Sequence, residues 1–359
     1  MAVGATERRW RGLTVGSGHF APIQLEAWRA VRDASIVGLV SQDEPARVAG
    51  VANAAGIDHH GVDFDDAIAA LRPDFVDICT PPGSHGAYVR RAADCGLPIL
   101  CQKPIAPTLE ESAELVDYCA ERGVPLLVNE NWRWQPWYRE IHSLLTDGRI
   151  GAAFHARIVM RPGDGWGMYP YPEQPYFKTM ERFLLVETAI HYFDTVDFLF
   201  GPIRDVWCRT GTINPVVRGE DLVVAVLGLE SGASVLYDAN RVACTATVRS
   251  SAYGTMVVEG PLGTIRLDDD GTIWLQDRDG LERRHAYRMP PGWKGGAAVA
   301  AQQHFVDCLN GEAIPETSGA SYLRAMAVVE ACYRSARDER KVSVAELLAL
   351  VGVERPIQR

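Results

Sequence analysis

A two-domain α/β protein is predicted, an N-terminal doubly wound parallel sheet followed by a C-terminal α/β domain on a large open, mainly antiparallel sheet. Three observations predict it. Apolar runs alternate with helix-periodic segments from residue 13 to residue 128, a rhythm that belongs to parallel strands joined by right-handed crossovers. Several of those runs end in glycine, proline or polar clusters, on the sheet edge where open α/β sheets bind ligands. Beyond residue 150 the rhythm gives way to short strands separated by Gly- and Asp-containing turns, the mark of antiparallel pairing.

The length of 359 residues is too great for one ordinary core and supports a boundary that divides 1–130 from 131–359, with C-terminal helices that can pack back on the first domain. Leu13-Thr14-Val15 opens the first strand, and Gly16-Ser17-Gly18-His19-Phe20-Ala21 fits G-x-G-x-x-A at a strand-to-helix turn. The first glycine permits the turn, the second lets a pyrophosphate approach the backbone, and Ala21 allows close helix packing. The helix, through Leu25, Trp28 and Val31, offers N–H groups to a phosphate. Ser35 to Val40 completes a βαβ unit and ends in Ser41-Gln42-Asp43. Gln42 aligns with the acidic position that binds ribose hydroxyls in NAD sites, Asp43 follows it, and no arginine comes before Arg47, so NAD versus NADP stays open.

Helices from Pro45 to Ala55 and Asp65 to Leu71 lead to a strand from Phe75 to Cys79. It ends in Thr80-Pro81-Pro82-Gly83-Ser84-His85, read as a turn laid flat under a nucleotide, with a helix from Gly86 to Cys95. Ile99-Leu100-Cys101-Gln102 then runs into Lys103, which Pro104 and Pro107 hold in a stiff loop at the end of a buried strand. A helix from Leu109 to Arg122 and a strand from Val124 to Val128 lead to Asn129-Glu130-Asn131-Trp132-Arg133-Trp134-Gln135-Pro136 on the same edge.

In the second domain, strands are expected over 153–160 and near 204–213, 220–229, 232–241, 244–252, 254–260, 263–268 and 272–276, with a final helical region over 297–340. Leu184 to Phe198 has helical periodicity. Glu187 and His191 are four apart and Asp194 three further, which puts all three on one face. By itself this reads first as an intrahelical Glu–His pair. The helix carries a single histidine, so no metal centre is expected.

Composition narrows the partners. The net charge of −10 and the absence of a basic tract argue against nucleic acid. No stretch has the length of a membrane span, and Met1 to Arg11 lacks the apolar core of a signal peptide. Eight cysteines without a C-x-x-C pair, several inside apolar runs, read as reduced thiols of a cytoplasmic protein.

The glycine turn, Thr80-Pro81-Pro82 with His85, Lys103-Pro104, Arg133 with Pro136, and Glu187 with His191 and Asp194 occur in the order that resembles the Gfo/Idh/MocA oxidoreductases. The resemblance runs over nearly the whole chain, to Phe305, Leu309, Gly311 and Ser335. It implies a Rossmann domain for NAD or NADP, and a C-terminal domain whose open sheet forms a homodimer or homotetramer. It implies that the family's lysine maps to Lys103, its histidine to His191 and its helical acid to Glu187. Gln102 stands where glutamate is common, and Glu187 is one methylene longer than the usual aspartate.

For a secondary or hemiacetal hydroxyl oxidised by hydride transfer, a base and a cation beside the oxygen are both useful. His191 is assigned the proton, Lys103 the developing alkoxide, and Glu187 the imidazole or a substrate hydroxyl. The expected cofactor contacts are Gly16, Ser17, Gly18, His19, Phe20, Ser41, Gln42, Asp43, Thr80, Pro81, Pro82, His85, Gln102 and Lys103. Trp132, Arg133, Arg161, Asp164, Trp166 and Tyr176, with Glu187 and His191, are the expected substrate contacts. Aromatic faces beside Asp, Gln and Arg suit a sugar or polyol. The Gly-Asp-Gly loop looks most like sugar-oxidising branches of the family, with a pentose such as apiose among them. A redox-neutral isomerase, epimerase or glycosidase and a non-catalytic sensor are the alternatives.

Overall fold

The structure, a computed structural model, describes residues 9–244 and 252–353. Residues 1–8, and 245–251 of the strand expected over 244–252, lie outside the described residues. The chain divides into two compact units, one of residues up to Asn131 together with Gly296–Leu323, the other of Trp132–Gly295 together with residues from Arg324 onward.

The first unit runs β1 (Trp10–Val15), α1 (Ala21–Trp28), β2 (Ala34–Val40), α2 (Pro45–Ala55), β3 (His59–Gly61), α3 (Phe64–Leu71), β4 (Phe75–Ile78), α4 (Pro82–Asp94), β5 (Ile99–Gln102), α5 (Leu109–Glu121) and β6 (Leu126–Asn129). Its strands pair in parallel in the order β3-β2-β1-β4-β5-β6. The order reverses between β1 and β4, so the crevice for a ligand opens at the carboxyl ends of those two strands. Local chemistry starts the helices. The Asp63 carboxylate accepts from the Asp66 N–H at the head of α3, and the Thr108 hydroxyl accepts from the Glu111 N–H at the head of α5. Proline stands in the first turn of α2 and α4, where no N–H is missed. For α4 this corrects the expected start at Gly86. Pro82 is the first helical residue, so the prolines begin the helix instead of extending the turn.

The second unit opens with a 3-10 turn (Trp132–Trp134), α6 (Pro136–Thr146) and β7 (His155–Met160). A π turn (Leu185–Ala189) runs into α7 (Ile190–Phe200), followed by β8 (Ile203–Gly211), β9 (Leu222–Leu229), β10 (Ser234–Asn240), β11 (Thr255–Gly260), β12 (Gly263–Leu267), β13 (Ile273–Asp277) and β14 (Glu282–His285). Alternating burial along β9 and β10 marks a sheet with one face on a core. The Tyr237 ring of β10 packs 5.2 Å from Tyr192 and 5.6 Å from Phe193, which seats α7 on that face.

The chain then returns to the first unit through α8 (Ala297–Leu309), enters α9 (Gly319–Asp338), and ends among the described residues in β15 (Val342–Ser343) and α10 (Val344–Leu350). The larger sheet orders as β14-β13-β12-β11-β7-β10-β9-β8-β15 and is antiparallel except where β7 runs parallel to β10. Phe305 of α8 lies 5.3 Å from Phe75 and 6.5 Å from Trp28, closing one face of the parallel sheet with Leu100 and Leu127. Burying a side chain of that size contributes about 3 kcal/mol. Among the described residues no helix is long and apolar enough to cross a membrane.

Candidate active site

In the first unit the glycine turn sits at the carboxyl end of β1. Gly16 has φ of +109°, and a Cβ there would lie 2.3 Å from the Cys79 carbonyl oxygen, so neither backbone nor space admits another residue. A Cβ on Gly18 would meet no protein atom within 4 Å. Glycine at 18 is thus not demanded by this chain's own packing, and the open space fits a backbone that a pyrophosphate approaches closely. Ala21 is fully buried at the start of α1, while His19 is exposed.

The end of β2 closes on that turn. Ser17 Oγ donates to Asp43 Oδ2 at 2.5 Å, Ser41 Oγ donates to the same oxygen at 3.0 Å, and Arg47 Nε donates to Ser17 O at 3.2 Å. The Ser17 hydrogen bond above all holds the Asp43 carboxyl below the usual carboxylate range. Gln42 is exposed and donates to Val62 O at 2.9 Å, so the acidic group at this strand end comes from Asp43.

His85, expected as a cofactor contact, is fully buried in the first turn of α4. Its Nε2 lies 2.7 Å from Thr80 O and its Nδ1 2.9 Å from Pro104 O, so it ties the end of β4 to the loop that carries Lys103. Burial pulls its pKa down, against the carbonyls that pull it up. The Lys103–Pro104 bond is cis and Lys103 is half-buried. Gln102 Nε2 donates to Gln24 Oε1 at 2.7 Å, Asn129 Nδ2 donates to the same oxygen at 2.9 Å, and Gln24 Nε2 donates to Asp77 Oδ1 at 2.5 Å. This buried relay explains the amide at 102. A carboxylate there would set oxygen against oxygen, since Gln24 keeps its donor for Asp77.

In the second unit α7 begins with a widened turn, in which the Ile190 N–H donates to Leu185 O five residues back. Glu187, His191 and Asp194 each take a partner from outside the helix. His191, 7% exposed, stacks on Trp132 with ring centroids 4.7 Å apart and planes at 6°. Arg133 donates to Asp194 through Nε at 2.8 Å and Nη2 at 2.5 Å. Trp132 and Arg133 are both buried, and this arrangement gives them the work of fixing α7.

Glu187 faces Arg241, a residue the sequence reading missed. The Arg241 guanidinium donates to Glu187 Oε2 at 3.4 Å, to Thr188 Oγ1 at 3.0 Å, to the Tyr253 hydroxyl at 3.0 Å and to both oxygens of Asp164. Burial disfavours the cation, but Tyr253, Asp164 and Glu187 outweigh it and keep Arg241 charged. The Gly-Asp-Gly loop is thereby pinned beside the acid of the π turn. Arg161, by contrast, donates to Asp238 O at 2.7 Å and Asp238 Oδ1 at 2.6 Å, which ties it into β10. Trp166 is 66% and Tyr176 52% exposed on the same connection. Among the described residues no group of three or more His, Cys, Asp or Glu side chains is placed to hold a metal ion.

Comparison with known proteins matches residues 11–130 to the Gfo/Idh/MocA model described as an oxidoreductase family NAD-binding Rossmann fold, and residues 148–344 to its C-terminal alpha/beta domain. The chain is 36% identical to a D-apiose dehydrogenase of Paraburkholderia graminis over 97% of this chain and 93% of that one. It is 32% identical to a D-apiose dehydrogenase of Rhizobium rhizogenes over 94% and 98%. Among solved structures, an oxidoreductase from Agrobacterium radiobacter in complex with NAD+, L-tartaric acid and magnesium superposes with a TM-score of 0.86 at 31% identity, covering 95% of this chain and all of that one.

Proposed function

The chain belongs to the Gfo/Idh/MocA oxidoreductase family, and from that premise we propose that it is a dehydrogenase that oxidises a hydroxyl of a sugar with NAD as the preferred acceptor, D-apiose being the first substrate to test. It is an NAD(P)-dependent oxidoreductase. One observation carries the reading to a specific chemistry. The chain combines an open glycine turn beside a carboxylate in its first unit with an imidazole stacked beside an arginine-held acid in its second.

The residues around the glycine turn fit a dinucleotide, with Gly16, Ser17 and Gly18 for the pyrophosphate and Asp43 for the adenosine ribose hydroxyls. Asp43 already accepts from Ser17 and Ser41, and a carboxylate held ionised at this strand end repels a 2′-phosphate, which favours NAD. Bound nicotinamide supplies the hydride acceptor. Lys103 stabilises negative charge on the reacting oxygen, and His191 accepts its proton. The flat stack on Trp132 holds the imidazole plane while it does so. Glu187, its charge offset by Arg241, is a binding group for a second hydroxyl. Asp164 shares Arg241 with that acid and Tyr176 feels its charge, both from the 161–182 connection, on which Trp166 is offered as an exposed ring for the substrate. We assign residues 1–130 to the dinucleotide and 131–359 to substrate and self-association. The exposed neighbours Trp207 and Val226 on β8 and β9 support the large sheet as the face of a homodimer or homotetramer. Buried thiols at Cys79, Cys101, Cys119, Cys208 and Cys332 support a reducing, cytoplasmic setting.

The test is a panel of aldoses including D-apiose, polyols and sugar acids, each with NAD and NADP, followed by absorbance of the reduced nicotinamide. Sugar-dependent reduction, with NAD preferred, is the expected result. Conversion of a sugar without net reduction would replace the dehydrogenase by a redox-neutral enzyme, and cofactor binding without any conversion would replace it by a sensor.

A further inference from the structure

Lys294 lies on the loop Pro290-Pro291-Gly292-Trp293-Lys294-Gly295-Gly296, far in sequence from every residue assigned above. Three features single it out. Its ammonium lies 5.4 Å from the centre of the Trp132 ring and 4.8 Å from that of Tyr253. Those two rings also border the groups of the sugar half: Trp132 stacks on His191, and the Tyr253 hydroxyl meets Arg241 and Asp164. The side chain therefore reaches the same cluster as the proposed base and the acid-holding arginine.

Its backbone is the second feature. Lys294 has φ of +46° between Gly292 and Gly295, a conformation that costs a side-chain-bearing residue roughly 1 kcal/mol and costs glycine nothing. In a loop already rich in glycine, that backbone cost is offset only by what the lysine side chain does. The third is how firmly the loop is set. A Cβ on Gly295 would strike Pro136 Cγ at 2.5 Å, so the loop is seated against the residue that opens α6, directly after the 3-10 turn that carries Trp132. Lys294 and Trp132 are thus fixed by one junction. Burial also pulls the ammonium down to about 8, the cost of keeping a cation among rings.

We propose that Lys294 is a specificity-determining residue whose ammonium donates hydrogen bonds to an oxygen of the bound substrate away from the reacting carbon, an assignment that rests on the second unit being the sugar-binding half. The oxygen is a hydroxyl of a neutral sugar or a carboxylate of a sugar acid, two sources of the same acceptor chemistry. An ammonium supplies three donors on a flexible stem, which suits adjacent oxygens better than a single one.

The experiment compares the wild type with Lys294→Met, Lys294→Arg and Lys294→Gly, using the best neutral sugar of the panel and its aldonate as an inhibitor. Lys294→Met is expected to raise KM for the sugar about tenfold or more, as when one charged hydrogen bond to substrate is lost, with kcat changed far less. The NADH dissociation constant, read from nucleotide fluorescence, is expected to stay within about twofold in the same variant. Lys294→Arg recovers part of the KM. Lys294→Gly relieves the backbone but loses the ring contacts, so its melting temperature is expected to stay close to that of Lys294→Met or above it, and it still shows the raised KM, which separates recognition from scaffolding. Equal weakening of the neutral sugar and the aldonate identifies a hydroxyl contact, and a larger loss for the aldonate identifies a carboxylate. An unchanged KM in Lys294→Met, or a raised KM that follows only from a lowered melting temperature, overturns the inference while leaving the dehydrogenase reading intact. Absence of turnover in the wild type removes that reading instead, and the lysine is then judged by acetylation rate, measured by mass spectrometry with NADH and each panel compound. Slowed labelling of Lys294 by any of them supports the contact, and unslowed labelling by all of them overturns it.

Discussion

Arg133 grips Asp194 through two nitrogens, at 2.8 Å and 2.5 Å, with both side chains almost wholly buried. The pair locks the second turn of α7 to the 3-10 turn before α6, and His191, three residues earlier on α7, inherits its position from that lock. Removing one partner leaves the other as an uncompensated buried charge. Asp194→Ala is therefore expected to lower unfolding free energy by about 3–5 kcal/mol. Denaturant unfolding measures it, and the double variant Arg133→Met with Asp194→Ala should recover part of the loss. A loss below about 1 kcal/mol would show that the pair is no more than a surface bridge.

Lys103→Met removes the proposed charge beside the reacting oxygen and leaves the glycine turn in place. Turnover should fall at least about 100-fold while NADH binding, followed by fluorescence titration, changes little. Near-normal turnover would take Lys103 out of the chemistry.

Asp43 is proposed to set the cofactor choice. Asp43→Ala should raise KM for NAD about tenfold, the loss of one charged hydrogen-bond acceptor, and raise KM for NADP far less. Initial rates with both cofactors read the ratio. An unaltered preference would mean that the carboxylate only braces Ser17 and Ser41.

Asp77 makes stability depend on pH in an unusual direction. Burial above all raises its carboxyl to about 6, while hydrogen bonds from Trp28, Gln24 and Thr14 pull it down. With the folded value above the unfolded one, the folded chain binds the extra proton between about pH 4 and pH 6, and this group's stabilisation is lost as pH rises through that window. The shift from 3.8 to about 6 amounts to about 3 kcal/mol. The stability difference between the wild type and Asp77→Asn should fall by up to that amount from pH 4 to pH 7. A difference that holds constant across the window would show that Asp77 titrates normally.

The parallel sheet was legible because each of its longer strands is an apolar run stopped by glycine, proline or a polar cluster, and α2 begins and ends where proline and glycine put it. The start of α4 was misplaced because a Pro-Pro pair reads equally as a turn or as the first residues of a helix. The three-residue β3 has no apolar signal at all; only its pairing with β2 makes it a strand. Likewise β14, Glu282-Arg283-Arg284-His285, is held by β13 alone. Among the proposed site residues, Lys103 and His191 stand out because their neighbours carry pattern. Arg241 and Lys294 do not, since each is marked out by a contact distant in sequence, Arg241 by Asp164, 77 residues away, and Lys294 by Trp132, which precedes β7. The π turn is invisible for the same reason, as over five residues periodicity cannot distinguish about 3.6 residues per turn from a wider turn.

Phe305 covers Phe75 and Trp28 from a segment translated long after the rest of the parallel sheet. On the ribosome the parallel sheet must therefore wait, one face uncovered, until most of the second unit has been made. Neither half is a contiguous stretch of the gene, and a nonsense codon anywhere before α8 would leave the dinucleotide domain unfinished along with its partner.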